Sequence, residues 1–256
     1  MDKSSSGKVN VVVNENGVMR LMFYHPSHNS MPSNLLNELV EKIEEAGTLD
    51  EVKVIVLQSE GNRTFCAGAN FDELLAIDDF ESGKLFFSGF ANVINAMRRC
   101  PKLIIGRVQG KAIGGGVGLA AATDYCFATQ YAAVKLSELS LGIGPFVVGP
   151  AVERKISLAA FSEMTINATE WKTAKWAEEK GLFTAVFDTA EEMDMAIDEL
   201  TRKLAKSSPQ AMKALKKMFW EGTENWEQLL QDRAAVSGRL VLTPFTKKAL
   251  KRFSGR

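Results

Sequence analysis

Residues 103–124 read LIIGRVQGKAIGGGVGLAAATD. The apolar, β-branched run Leu103–Val108 has the length and composition of a buried strand. Glycines at 110, 114, 115, 116 and 118 follow, and a small-residue helix is predicted over Val117–Thr123. A chain that passes from strand through glycine into helix presents free backbone N–H donors at the helix start. Small residues there let another group approach the backbone closely.

The same form occurs upstream, at Phe65-Cys66-Ala67-Gly68-Ala69-Asn70. Two donors that converge on one point from two such segments make an oxyanion hole. Tight strand–helix packing also demands glycine, so spacing alone leaves both readings open. A phosphate loop fits less well. No Gly-Lys-Ser/Thr ending is present, and no GxGxxG with an acidic residue at the required distance.

Lys8–Asn14 and Val18–Tyr24 alternate apolar and β-branched residues around an Asn16-Gly17 hairpin signal. Pro32 and Ser33 suit a helix start, followed by Leu35, Leu36, Leu39, Val40 and Ile43 at helical spacing. Val52–Leu57 reads as a buried strand, and Phe86, Phe90, Val93 and Met97 mark one helix face that Pro101 ends. Short strands are predicted at Tyr125–Ala128 and Ala133–Leu136. Beyond Pro150 the pattern turns helical, with a capping-box signature at Thr189 and Glu192 and a helix opening at Ser208-Pro209. Strands with crossing helices therefore come first and helices last, which predicts an α/β fold with a boundary near residue 190.

The 256 residues carry 31 basic and 31 acidic side chains, a balance that offers no reason to expect a nucleic-acid or membrane partner. No apolar run has the length of a membrane span, and MDKSSSGKVN lacks a signal peptide's apolar stretch, so a cytoplasmic protein is expected. Cys66, Cys100 and Cys126 match no zinc spacing and read as reduced thiols. The two histidines, His25 and His28, form no ligand motif, so no metal is expected.

From about Val11 to Leu182 the chain resembles the crotonase (enoyl-CoA hydratase/isomerase) family. His25-Pro-Ser-His-Asn29-Ser resembles the family's early strand-to-helix motif. Residues 65–70 resemble its first oxyanion segment, and Gly110-Lys-Ala-Ile-Gly-Gly115-Gly-Val-Gly-Leu119 its second. Asp124 matches the aspartate that closes the next helix, and Ser137-Glu138-Leu-Ser-Leu-Gly142-Ile143 the region of a catalytic glutamate. The resemblance implies a ββα spiral core over 1–190 with an acyl-CoA site. It also implies a helical oligomerisation segment over 191–256, assembling a homotrimer or a hexamer of two trimers.

By the same resemblance, the N–H groups of Ala69 and Gly115 bind the thioester oxygen of an acyl-CoA, and Glu138 moves the proton. Ala67, Gly68, Gly114, Gly118, Pro145 and Phe146 line the substrate site. No separate cofactor is implied, because coenzyme A is part of the substrate. An apolar setting around Glu138 raises its pKa toward neutrality, which suits a group that both takes and returns a proton.

Two departures stand out. Hydratases of the family carry a second glutamate where this chain has Gly118. Two carboxylates hold and activate a water; one suffices to move a proton from C2 to C4 of a 3-enoyl thioester. The lone glutamate favours an isomerase, and Leu141-Gly-Ile-Gly-Pro145-Phe146 also resembles the isomerase version. Gly118 leaves open a bulkier acyl group or a water held by another residue, and so a hydratase. A non-catalytic acyl-CoA-binding subunit is the remaining alternative. The second departure, Asn70 for the usual aspartate, does not touch the backbone donors.

The basic, amphipathic end Phe245–Arg256 reads three ways: trimer packing with CoA contact, a solvated face, or a nucleic-acid contact. The first is preferred by resemblance, with Phe253 and Arg256 as CoA-contacting residues. The last lacks an aromatic-basic platform.

Overall fold

The computed structural model describes residues 7–254. The chain opens with an antiparallel hairpin, β1 (Lys8–Val13) and β2 (Val18–Tyr24), in which Lys8 pairs Tyr24 and Val13 pairs Met19. Its turn is held by Asn14 Oδ1, which accepts from the N–H groups of Asn16 and Val18, both at 3.0 Å. Helix α1 (Ser33–Thr48) buries Leu35, Leu36, Leu39 and Ile43, the predicted stripe.

Three ββα turns then form the body. Strands β3 (Val54–Ser59) and β4 (Thr64–Cys66) precede α2 (Phe71–Ala76) and α3 (Phe80–Arg99). Strands β5 (Leu103–Val108) and β6 (Lys111–Ile113) precede α4 (Gly115–Ala121). Strands β7 (Tyr125–Thr129) and β8 (Ala133–Lys135) precede a 3₁₀ turn at Glu138–Leu141 and α5 (Gly149–Ile166). The first strand of each pair joins a six-stranded sheet and the second a smaller one. After β9 (Lys172–Thr173), α6 (Ala174–Glu179) and β10 (Ala185–Phe187), the orders are β1-β2-β3-β5-β7-β10 and β4-β6-β8-β9. From β2 onward the large sheet is parallel. This alternation between two sheets is the spiral expected from sequence.

Parallel strands covered on both faces read as unbroken apolar runs. In β3 and β5, Ile55, Leu57 and Ile104 enter the main core with α1, α3 and α4. Val54, Val56, Leu103 and Ile105 point the other way, against Met193, Ile197 and Met212 of α7 (Ala190–Leu204) and α8 (Pro209–Phe219). Val52–Leu57 was expected as the strand; the ladder instead begins at Val54, because Val52 N–H closes a turn onto Leu49 O.

The late helices pack back on this body. Lys216 of α8 reaches Asp124 Oδ2 at 2.6 Å, and Trp220 Nε1 donates to Asp124 Oδ1 at 3.0 Å. Helix α9 (Trp226–Leu240) lies along α3, where Gly83 and Gly238 let the backbones touch. Helix α10 (Pro244–Ser254) sets Leu250 in a cluster with Leu74, Ile77, Phe86 and Ile143. At Thr189 the capping signature supplies one bond, Glu192 N–H to the threonine Oγ1 at 3.1 Å. Cys66, Cys100 and Cys126 are free and buried. Among the described residues no helix is long and apolar enough to cross a membrane.

Candidate active site

Two glycine turns meet above the small sheet. Gly68 follows β4 with φ +89°, and a Cβ there would lie 3.0 Å from Ile113 O and 3.6 Å from Gly115 N. Only a residue without Cβ adopts this conformation cheaply and admits so close a neighbour. Ala69 forms a parallel bridge with Met31: Met31 N–H donates to Gly68 O at 2.8 Å and Asn70 N–H to Met31 O at 3.2 Å. That pattern uses the groups flanking Ala69 and turns its own N–H to the other side. The bridge is braced by Asn29, whose side chain donates to Glu60 O and Thr64 O and accepts from His25 N–H.

Asn70 caps α2, accepting from Glu73 N–H at 3.0 Å. Aspartate and asparagine both serve at that position, so the departure noted in sequence leaves the turn intact.

The second turn is tighter. Gly114 has φ +52° and ψ −114°, and its N–H donates to Lys135 O at 2.9 Å. Helix α4 therefore starts at Gly115, two residues before the predicted Val117. Gly115 and Gly116 are packing glycines as well: added Cβ atoms would stand 2.2 Å from the Phe90 ring and 2.4 Å from Cys66 O. As the first residue of α4, Gly115 has no intrahelical acceptor. Neither its N–H nor that of Ala69 donates to a backbone acceptor among the described residues.

Glu138 closes the arrangement. It begins the 3₁₀ turn, which ends at Gly142 with φ +83°, and Ile143 N–H donates to Glu138 O. The Glu138 carboxyl lies against Gly114, with Oε1 2.8 Å from where a Cβ would be. Oε2 is buried and has no hydrogen-bond partner. Burial pushes the carboxyl up to about 7, against a smaller opposing pull from its own backbone N–H. A buried carboxyl with one unpartnered oxygen, titrating near neutrality, has the character of a general acid–base group.

These groups border one cavity of about 460 Å³. Ala67, Gly68, Ala69, Gly114, Gly115, Glu138, Pro145, Phe146 and Phe253 all line it. Phe71, Leu74, Phe86, Phe87 and Phe90 make much of the remaining wall apolar. Gly118 must be corrected: it does not line the cavity. Its bare Cα faces Val148, and a Cβ would lie 2.4 Å from Val148 Cγ1. The side chain of Val148 fills the space that sequence reasoning left for an acyl group or a water. Arg256 lies outside the described residues. Sequence reasoning missed Lys135, which lines the cavity three residues before Glu138. The β8 period marked its position but not the neighbouring wall that turns it into a site residue. No group of three or more His, Cys, Asp or Glu side chains able to hold a metal occurs among the described residues.

The family described as Enoyl-CoA hydratase/isomerase matches residues 13–254. A probable enoyl-CoA hydratase of Bacillus subtilis (strain 168) is 29% identical over 236 residues, 91% of this chain and 90% of that protein. An ethylmalonyl-CoA decarboxylase of Mus musculus is 24% identical over 255 residues, 98% of this chain and 79% of that protein. In fold, the crystal structure of an enoyl-CoA hydratase from Bacillus halodurans superposes with a TM-score of 0.88 at 19% identity, covering 95% of this chain and 99% of that one.

Proposed function

The chain belongs to the enoyl-CoA hydratase/isomerase family of the crotonase superfamily, and from that premise we propose that it is an enoyl-CoA isomerase, converting 3-enoyl to 2-enoyl thioesters. The thioester oxygen accepts from Ala69 and Gly115 N–H. Glu138 removes a proton from C2, the electron pair delocalises as a dienolate, and the same carboxyl returns the proton at C4. Atoms and electrons balance without a further reactant. Donors fixed at the oxygen favour the dienolate over the ground state, and one such donor is worth about 3–4 kcal/mol in comparable sites.

One observation carries the choice of reaction. Among the described residues lining the cavity, Glu138 is the only carboxylate, and Val148 occupies the volume beside Gly118 where a second would project. Hydration is supported as a second reading by the name of the Bacillus subtilis relative, a probable enoyl-CoA hydratase.

Purified protein is offered 3-enoyl-CoA and 2-enoyl-CoA separately while the conjugated-thioester absorbance is followed. Isomerisation predicts growth of the signal with the first. Loss of signal with the second alone makes the protein a hydratase. Binding without either change makes it a non-catalytic subunit. On the same reading, 191–256 supplies the contacts of a homotrimer or of two trimers in a hexamer, which light scattering tests.

A further inference from the structure

Lys135 and Glu138 are the only ionisable side chains among the described residues that line the cavity. Lys135 ends β8, where it pairs with Ile113, itself a lining residue, so its stem runs along the cavity wall. Its ammonium rests on the face of Trp171, 4.6 Å from the ring centre. Lys111 stacks on the same ring at 5.0 Å.

Neither lysine has an acidic partner among the described residues. Glu170, next to Trp171 in the chain, pairs with Lys172 at 3.2 Å. No ion pair or hydrogen bond joins Lys135 to Glu138 among the described residues, and Glu138 Oε2 has no hydrogen-bond partner. Burial, and then the Lys111 charge, hold the Lys135 ammonium below the usual lysine range. A half-buried cation beside a second cation, without a carboxylate, is stabilised most by an anion that arrives with the ligand.

The geometry points to a specificity subsite in which Lys135, braced on Trp171, receives a second carboxylate carried by the acyl group. Substrates of this site would then be acyl thioesters of dicarboxylic acids. The inference rests on the proposed acyl-CoA function and adds its substrate class. The size of the cavity favours the acyl group as the source of the anion. About 460 Å³ holds an acyl group and its thioester within the usual range of small-ligand sites, and leaves the bulk of coenzyme A, with its phosphates, outside.

The test is a binding titration of the full chain by calorimetry with glutaryl-CoA and pentanoyl-CoA. The two have equal carbon number, differ in the terminal carboxylate, and lack the double bond that the reaction shifts. The wild-type protein is expected to bind glutaryl-CoA roughly tenfold or more tightly, as a charge-assisted hydrogen bond implies. Lys135→Met, which keeps the stem, should erase that preference; Lys135→Arg should retain it. Equal wild-type affinity for the two ligands overturns the inference whatever the variants do. So does an equal loss for both ligands in Lys135→Met, the result expected of a lysine that serves the phosphates. Failure of both thioesters to bind at all overturns the proposed function together with this inference.

Discussion

The carboxyl of Glu138 lies against the bare Cα of Gly114, 2.8 Å from the point a Cβ would occupy. Glycine there serves two ends at once. Its φ of +52° starts α4 so that Gly115 N–H comes first, and its missing side chain leaves room for Glu138. Gly114→Ala should therefore impair the reaction through both. We expect loss of at least about two orders of magnitude in kcat, the scale of one displaced oxyanion donor, with a folded far-UV spectrum. Steady-state kinetics on a 3-enoyl-CoA measure it.

Burial of Glu138 makes opposite demands on stability and on activity. Its pKa stands at about 7 in the folded chain against an ordinary 4.5. Below 4.5 both states are protonated and the group costs nothing. Between about 4.5 and 7 the unfolded chain ionises first, and the penalty grows to its full value above 7. Glu138→Gln removes it, so the variant should gain about 3 kcal/mol at pH 8 and nothing at pH 4. Thermal melts at the two pH values read the difference.

Turnover should run the other way. Abstraction at C2 needs the ionised carboxylate, so kcat should rise with pH through about 7. Glu138→Gln should abolish the reaction while acyl-CoA affinity largely persists. A pH–rate profile with a flat acid limb removes Glu138 as the base.

The Gly118–Val148 contact predicts an asymmetric pair of variants. Gly118→Glu alone drives its Cβ to 2.4 Å from Val148 Cγ1 and should destabilise by about 1–3 kcal/mol, as overpacked cores do. Val148→Ala in the same chain should recover part of that loss, although alone it destabilises. Chemical denaturation of the two singles and the double closes the cycle.

Lys216 and Asp124 form an ion pair whose side chains are 3% and 4% exposed. Asp124 also accepts from Ile104 N–H and Trp220 Nε1, so it ties the end of α4 and the start of β7 to α8. Lys216→Met leaves that carboxylate buried with its countercharge gone, and should cost about 3–5 kcal/mol. Adding Asp124→Asn should restore part of it, again by chemical denaturation.

Much of this was legible before any coordinates. Alternation and β-branching around an Asn-Gly turn marked the β1–β2 hairpin, and apolar runs marked β5 and β7, because a covered parallel sheet leaves such runs at strand length. The two glycine segments announced the turns, since φ values of +89° and +52° at Gly68 and Gly114 admit little but glycine. The start of α4 was read two residues late, because glycine's low helix propensity hides a helix set by contacts with Phe90 and Cys66.

Local sequence determined the order of strands and helices, the two turns, and a glutamate in apolar surroundings, all consequences of neighbouring residues acting on one stretch of backbone. Only tertiary packing decided that Val148 fills the space beside Gly118 and that Lys135, which lines the cavity, rests on the ring of Trp171. Those partners lie 30 and 36 positions apart in the chain, and no periodicity within a single element encodes which distant side chain will occupy a given volume.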